Sequence, residues 1–115
     1  MAKIYDFNLA DRVREALAHL PDVEEKEMFS GVVFMVNGKM CVGVGRNDLM
    51  CRVGAEAIET LLDENGVRQM VMRDRPAKDF IYVSPEAFQN QKDFDRWIKL
   101  ALDFNPKAKA SNKKK

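Results

Sequence analysis

The sequence is short of the residues on which most enzyme active sites and disulfide-rich folds depend. It has two cysteines, Cys41 and Cys51, and one histidine, His19, among 115 residues. Two cysteines are too few for a disulfide framework and lack the spacing of a zinc site. No Cys–His pair, His–Glu cluster, phosphate-binding glycine loop or nucleophile elbow is present in the sequence. We therefore expect a protein that is not an enzyme and uses no metal or cofactor.

Long apolar segments are missing as well. No apolar run approaches the ~18 residues of a membrane-spanning helix, and the mean hydropathy is -0.38. Residues 1–6 contain no apolar stretch of the kind found in a secretion signal. We expect a cytoplasmic protein that has no membrane partner.

The charge is unevenly distributed along the chain. Lysine and arginine total 19 and aspartate and glutamate 18, which gives a formal net charge of +1. Residues 107–115 hold five of the lysines and no acid, so residues 1–104 carry 14 basic and 18 acidic side chains. A chain of 13.2 kDa has the size of one globular domain. We predict one domain over residues 1–104 and a basic, disordered tail over residues 105–115.

The periodicity of apolar residues predicts a helix, three or four strands, a second helix, one or two strands and a last helix. Asn8 is the candidate N-cap of the first helix, which Pro21 closes, and Asn90 is the candidate cap of the last helix. Consecutive antiparallel strands with helices gathered on one face form a two-layer α+β domain. We therefore predict an α+β fold.

The clearest local pattern is Asn37-Gly38 between two apolar runs. Asn-Gly favours a two-residue hairpin turn because both positions tolerate positive φ. If Val36 pairs with Lys39, alternate residues fall on opposite faces of the sheet. The face that we expect the helices to cover receives Val33, Met35, Met40, Val42, Val44, Leu49, Cys51 and Val53. The opposite face receives Val32, Phe34, Val36, Lys39, Cys41, Gly43, Met50 and Arg52.

This opposite face is too apolar for a surface that meets only water. Either another segment of the chain covers it or it contacts a partner subunit, and the sequence leaves both alternatives open. The same register places Cys41 and Cys51 on opposite faces, so no disulfide is expected between them.

Around the hairpin the sequence is similar to a known family. The motifs that carry the similarity are Met28-Phe29-Ser30-Gly31, Leu49-Met50-Cys51-Arg52-Val53-Gly54, Arg75-Pro76 leading to Phe80-Ile81-Tyr82-Val83, and the last helix with Trp97. Over residues 28–104 the sequence resembles the N-terminal domain of the bacterial competence regulators TfoX and Sxy. The resemblance implies a five-stranded sheet, a cytoplasmic bacterial setting, self-association and a regulatory or binding role, and it implies no reaction.

The sequence departs from the family's usual pattern at several positions. Ser30 stands where the family usually has the first glycine of Met-Phe-Gly-Gly. Asp74, Ala77 and Asp79 replace the first glycine, the methionine and the final glycine of a loop that often reads Gly-Arg-Pro-Met-x-Gly. The longer regulators also carry a C-terminal helical domain similar to DNA-binding modules. The sequence has no such segment, so direct activation of transcription is not implied.

Two kinds of function follow from these patterns. The first is a non-catalytic interaction domain that forms a homodimer or binds a regulatory protein, because aromatic and methionine side chains are typical of interfaces. The residues predicted for that interface are Met28, Phe29, Phe34, Val36 and Met50.

The alternative is a module that binds an anion or a nucleic acid, since arginine forks fit phosphate and carboxylate oxygens. Acidic residues nearby favour surface ion pairs over such a site, so the expectation of a nucleic-acid partner is the weaker one. The residues predicted for the alternative are Arg46, Arg52, Arg73, Arg75 and Lys78, or the lysine-rich tail.

Overall fold

Antiparallel pairing of short strands organises the fold. The computed structural model of the protein describes residues 5–28, 31–72 and 74–108. In these residues the elements are α1 (Phe7–Ala16), β1 (Val23–Met28), β2 (Gly31–Val36), β3 (Lys39–Val44), β4 (Leu49–Arg52), α2 (Ala55–Leu61), β5 (Val67–Met72), β6 (Arg75–Val83) and α3 (Gln91–Phe104).

The strands form one open sheet. Their order is β1-β2-β3-β4-β6-β5, and every neighbouring pair is antiparallel. The predicted α+β class is confirmed. The sheet has six strands in the described residues, where the family resemblance implied five. β1 and β5 are the two edge strands.

The two longest helices begin at side-chain caps. The Asp6 carboxylate accepts a hydrogen bond from the Leu9 N–H at 3.0 Å, so the cap of α1 is Asp6 and not Asn8. The Asn90 side chain accepts from the Asp93 N–H at 2.8 Å, which confirms the cap predicted for α3. Each cap satisfies an N–H that has no partner within the helix.

All three helices contribute to one core. We call it the helix-side core, because it joins helix residues to one side of the sheet. The buried residues that the helices supply are Leu9, Ala10, Val13, Ile58, Leu61, Phe94, Trp97, Ile98 and Ala101.

The hairpin between β2 and β3 forms as predicted. Asn37 has φ 55° and Gly38 has φ 78°, both in the left-handed region that this turn requires. Val36 pairs with Lys39, which confirms the predicted first pair of the register.

A β-bulge follows directly and overturns the predicted assignment of faces. Met35 pairs with Met40 but Phe34 pairs with Val42, so Cys41 is an extra residue in β3. One extra residue shifts the alternation of side chains on that strand. Three residues that were predicted to face the helices lie on the other side of the sheet: Val33, Met35 and Met40. Four residues that were predicted to face away from the helices lie in the helix-side core instead: Val32, Phe34, Val36 and Cys41.

The end of the last helix is linked to the hairpin. Asn105 is buried, its side-chain amide donates to the Val36 carbonyl at 3.0 Å, and its side-chain oxygen accepts from the Asn37 amide at 3.0 Å. The Lys39 ammonium donates to the Asn105 carbonyl at 3.1 Å, so Lys39 also lies on the helix side. A short 3-10 helix at Asn105–Lys107 follows α3, and residues 109–115 of the predicted tail lie outside the described residues.

Within the described part of the chain, none of the helices combines the length and apolar character needed to cross a membrane.

The close approach of β2 and β3 depends on Gly31. A Cβ at this position would overlap the carbonyl oxygen of Val44 in the neighbouring strand. We expect Gly31→Ala to lower the free energy of unfolding by about 1–3 kcal/mol, because a backbone atom would have to move. Urea denaturation followed by circular dichroism measures the change. The control is Gly45→Ala, whose added Cβ has no atom within 4 Å, and equal stabilities of the two variants would contradict the account.

Candidate interaction site

The side of the sheet that faces away from the helices carries a second apolar cluster. We call it the methionine cluster, because it contains five of the seven methionines of the chain. All of its residues come from strands or from strand ends. Its buried members are Val33, Met35, Met50, Met70, Ala77 and Phe80, and its partly buried members are Met28, Met40 and Tyr82.

The methionine cluster is closed to solvent. Each of its buried members is 9% exposed or less. Two irregularities of the sheet contribute to this closure, because bulges bend strands and increase their twist. One is the bulge in β3. The other lies in β6: Gln69 pairs with Ile81 and Val71 pairs with Pro76, so five residue steps along β6 lie against two along β5. The apolar residues on this face are therefore buried by one another within the chain, and no partner is needed to bury them.

The residues predicted to share an interaction face are divided between the two cores. Met50 and Met28 belong to the methionine cluster, Met50 as a buried member and Met28 as a partly buried one. Phe34 is 0% exposed and Val36 is also buried, and both lie in the helix-side core. The prediction that Phe34, Val36 and Met50 share one face of the sheet is therefore wrong, and the reason is the bulge at Cys41.

Arg52 is a buried cation beside the methionine cluster. It is 8% exposed, and its guanidinium donates to the Met40 carbonyl at 3.3 Å and to the Asp79 carboxylate at 3.4 Å. The guanidinium also stands over the Phe80 ring, 5.2 Å from its centroid. Its Nε is buried without a hydrogen-bond partner. Because a buried charge is costly unless it is paired, Arg52 links β3, β4 and the residues of β6 within the protein and is not placed to meet an external anion.

The other predicted cations do not converge on one surface. Arg46 is exposed in the turn between β3 and β4, while Arg75 and Lys78 are exposed near the start of β6. β4 and β6 are antiparallel with Leu49 opposite Val83, so Arg46 lies at the opposite end of this strand pair from Arg75 and Lys78. The predicted residues outside the described part of the chain are Phe29 and Arg73.

Arg68 is a cation that the sequence analysis missed. Its guanidinium donates to the Asp48 carboxylate at 2.7 Å and to the Ser84 hydroxyl at 2.7 Å. It also lies over the Tyr82 ring, 5.1 Å from the centroid. These contacts hold the exposed guanidinium of β5 beside β6 and the turn before β4. The pairing of β5 with β6 is what brings them together, and no local pattern in the sequence shows it.

The two edge strands differ in their protection. In β1 the four central residues are charged and exposed, and Glu25 pairs with Arg14 of α1, which holds the pKa of that carboxyl below its usual range. In β5 the only charged residue is Arg68, and Val71 is 55% exposed. Rows of charge at a sheet edge discourage pairing with another strand. The β5 edge therefore lacks the protection that the β1 edge has.

The two thiols are not placed for chemistry. Cys41 and Cys51 lie in the same core, contrary to the prediction of opposite faces, and both are free. Burial raises the pKa of the Cys41 thiol to about 12 and holds that of the Cys51 thiol above its usual range. Since the thiolate is the nucleophile, burial disfavours the reactive form of both groups.

The sequence of the protein matches a family model over most of its length. The match is to the TfoX N-terminal domain and spans residues 15–105. The chain belongs to the TfoX N-terminal domain family. The matched residues include every strand of the described sheet, α2, α3 and the whole methionine cluster, and they include the helix-side core except for its α1 residues Leu9, Ala10 and Val13. Comparison with curated proteins and with solved structures finds no match.

In this TfoX N-terminal domain Arg52 stabilises the sheet. We expect Arg52→Ala to lower the free energy of unfolding by about 1–3 kcal/mol, because the Asp79 carboxylate and the Met40 carbonyl each lose a donor. Urea denaturation measures the effect. The matched control is Arg46→Ala, an exposed arginine whose removal should change stability by no more than about 0.5 kcal/mol. An Arg52 variant as stable as the Arg46 variant would show that the buried contacts of Arg52 do not stabilise the protein.

Proposed function

We propose that this domain is a regulatory module of the competence-regulator type, which acts in the cytoplasm of a bacterium by binding another protein chain. The observation that carries the proposal is the family match over residues 15–105. In this proposal the domain influences DNA uptake through association and catalyses no reaction itself.

The placement of the reactive side chains supports a role without catalysis. The Cys41 and Cys51 thiols are buried and their pKa values are raised, which disfavours the thiolate that attack requires. His19 is exposed in the turn that follows α1. No group of three or more histidine, cysteine, aspartate or glutamate residues that could hold a metal ion occurs in the residues that the structure covers.

The placement of the arginines favours a protein partner over an anion or nucleic acid. Binding to nucleic acid through a folded surface needs a basic patch that several phosphates can contact. Here Arg52 is buried, Arg68 is paired with Asp48, and Arg46 is at the opposite end of the β4–β6 pair from Arg75. The predicted cations therefore do not form one basic patch on the described surface.

The experiment that tests the proposal is deletion of the gene in the source bacterium. We expect the frequency of transformation by added DNA to change by about tenfold or more, which is a coupling of ordinary regulatory size. A copy of the wild-type gene should restore the original frequency, and so should a His19→Ala copy, because no imidazole chemistry is involved.

Two results would contradict the proposal. An unchanged transformation frequency after deletion would remove the role in DNA uptake. Failure of the His19→Ala copy alone, at wild-type protein levels, would point to catalysis by the only imidazole of the chain.

A further inference from the structure

We propose that β5 pairs antiparallel with β5 of a second copy of this chain, about a two-fold axis that passes beside Gln69. This inference rests on the proposed function, because it names the second copy as a protein partner. It starts from the contrast between the two open edges of the sheet, one charged and the other exposing Val71. A β5 edge that joins its own copy extends the six described strands of each protomer into one continuous sheet.

Symmetry excludes β1 from such a contact. When two copies of an edge strand pair antiparallel about a two-fold axis, one residue lies opposite its own copy. The four central residues of β1, at positions 24–27, are three glutamates and one lysine. Whichever of them lies at the axis, a charge of one sign faces the same charge, which destabilises a strand pair.

The same symmetry suits β5. With Gln69 opposite its own copy, Arg68 lies opposite Met70 and Val67 lies opposite Val71. No like charges meet in this register. Val67 belongs to the helix-side core and Met70 to the methionine cluster, so residues 67, 69 and 71 share the helix side of the strand. The exposed Val71 side chain thus gains an apolar neighbour on that side.

The two polar side chains of β5, those of Gln69 and Arg68, make their hydrogen bonds within the chain. The Gln69 amide donates inward to the carbonyls of Met70, Ala77 and Phe80, at 3.3, 3.0 and 3.2 Å. The extra residues of the irregular pairing belong to β6, so β5 itself runs from Val67 to Met72 without insertion. The Arg68 guanidinium is likewise held by Asp48 and Ser84.

Pairing of unlike edges would give a different assembly. If β1 of one copy joined β5 of the next, each added copy would leave the same two edges open. Such a head-to-tail contact extends without closing unless a ring forms, whereas the β5–β5 contact closes as a dimer. One strand pair buries less surface than a standard interface, so we expect a reversible dimer with a dissociation constant on the order of micromolar.

Sedimentation velocity of the full chain over about a hundredfold range of concentration tests the proposal. We expect a monomer–dimer equilibrium for the wild type. Val71→Lys should raise the dissociation constant at least about tenfold, because a lysine at an edge opposes strand pairing. The matched control is Leu62→Lys, which replaces an exposed apolar residue (40% exposed) at the C-terminal cap of α2, outside β5, and should leave the equilibrium unchanged.

Three results of this experiment would overturn the proposal. The first is a wild type that stays monomeric at every concentration. The second is a Val71→Lys variant that dimerises as the wild type does. The third is a Leu62→Lys variant that weakens the dimer as much as Val71→Lys, which would indicate unspecific apolar association. Because this experiment uses purified protein, it can fail while deletion of the gene still alters transformation, and the reverse.

Oxidative cross-linking tests the register. A cysteine placed at Gln69 lies opposite its own copy and should form a disulfide-linked dimer, whereas one at Val71 is four residues from its copy along the strand and should not. The native thiols do not compete, because both are buried. Cross-linking of Val71→Cys without Gln69→Cys would overturn this register. If loss of the Gln69 amide unfolds the variant, sedimentation of Val71→Lys still decides whether the edge pairs.

Discussion

The extra residue at Cys41 is the constraint on which the arrangement of the molecule depends. The Asn37-Gly38 turn sets Val36 opposite Lys39. The bulge then places one residue more in β3 than in the paired part of β2. Without the bulge Phe34 would share a face with Gly43 and Met50. With it, Phe34 joins the side chains that the helices cover, and Met35 turns to the other side. One inserted residue thereby divides the apolar side chains of a small domain into two cores.

The two cores have different chemistry, which follows from the elements that build them. The helix-side core contains branched and aromatic side chains from three helices and the sheet. The methionine cluster is built from strands alone, and methionine is suited to such a bent surface because its unbranched side chain fills irregular gaps. Arg52 at its border brings a charge that Asp79 and a backbone carbonyl satisfy. The apolar face for which the sequence left two alternatives is thus buried within the chain, and the sheet is exposed at its edges.

The sequence predicts the local elements well, because their causes are local. The Asn37-Gly38 turn, the Asn90 cap and the helix around Trp97 each depend on residues close to one another in the chain. The bulge has no comparable cause in the sequence, since Cys41 is apolar and suits either face.

The candidate site is harder to predict for the same reason. The exposed edge follows from the insertion of β6 between β4 and β5, which is a long-range pairing. The burial of Arg52 depends on Asp79, 27 residues away, and that of Asn105 on Val36, 69 residues away. The division of the apolar side chains between two cores depends on the bulge, and nuclear Overhauser effects of the Phe34 ring in the full chain test for the bulge most directly. We predict effects between this ring and side chains of α1, and between the methyl groups of Met35 or Met50 and the Phe80 ring. Effects between the Phe34 ring and the Met50 methyl group, with none to α1, would show an unbulged hairpin and contradict the account.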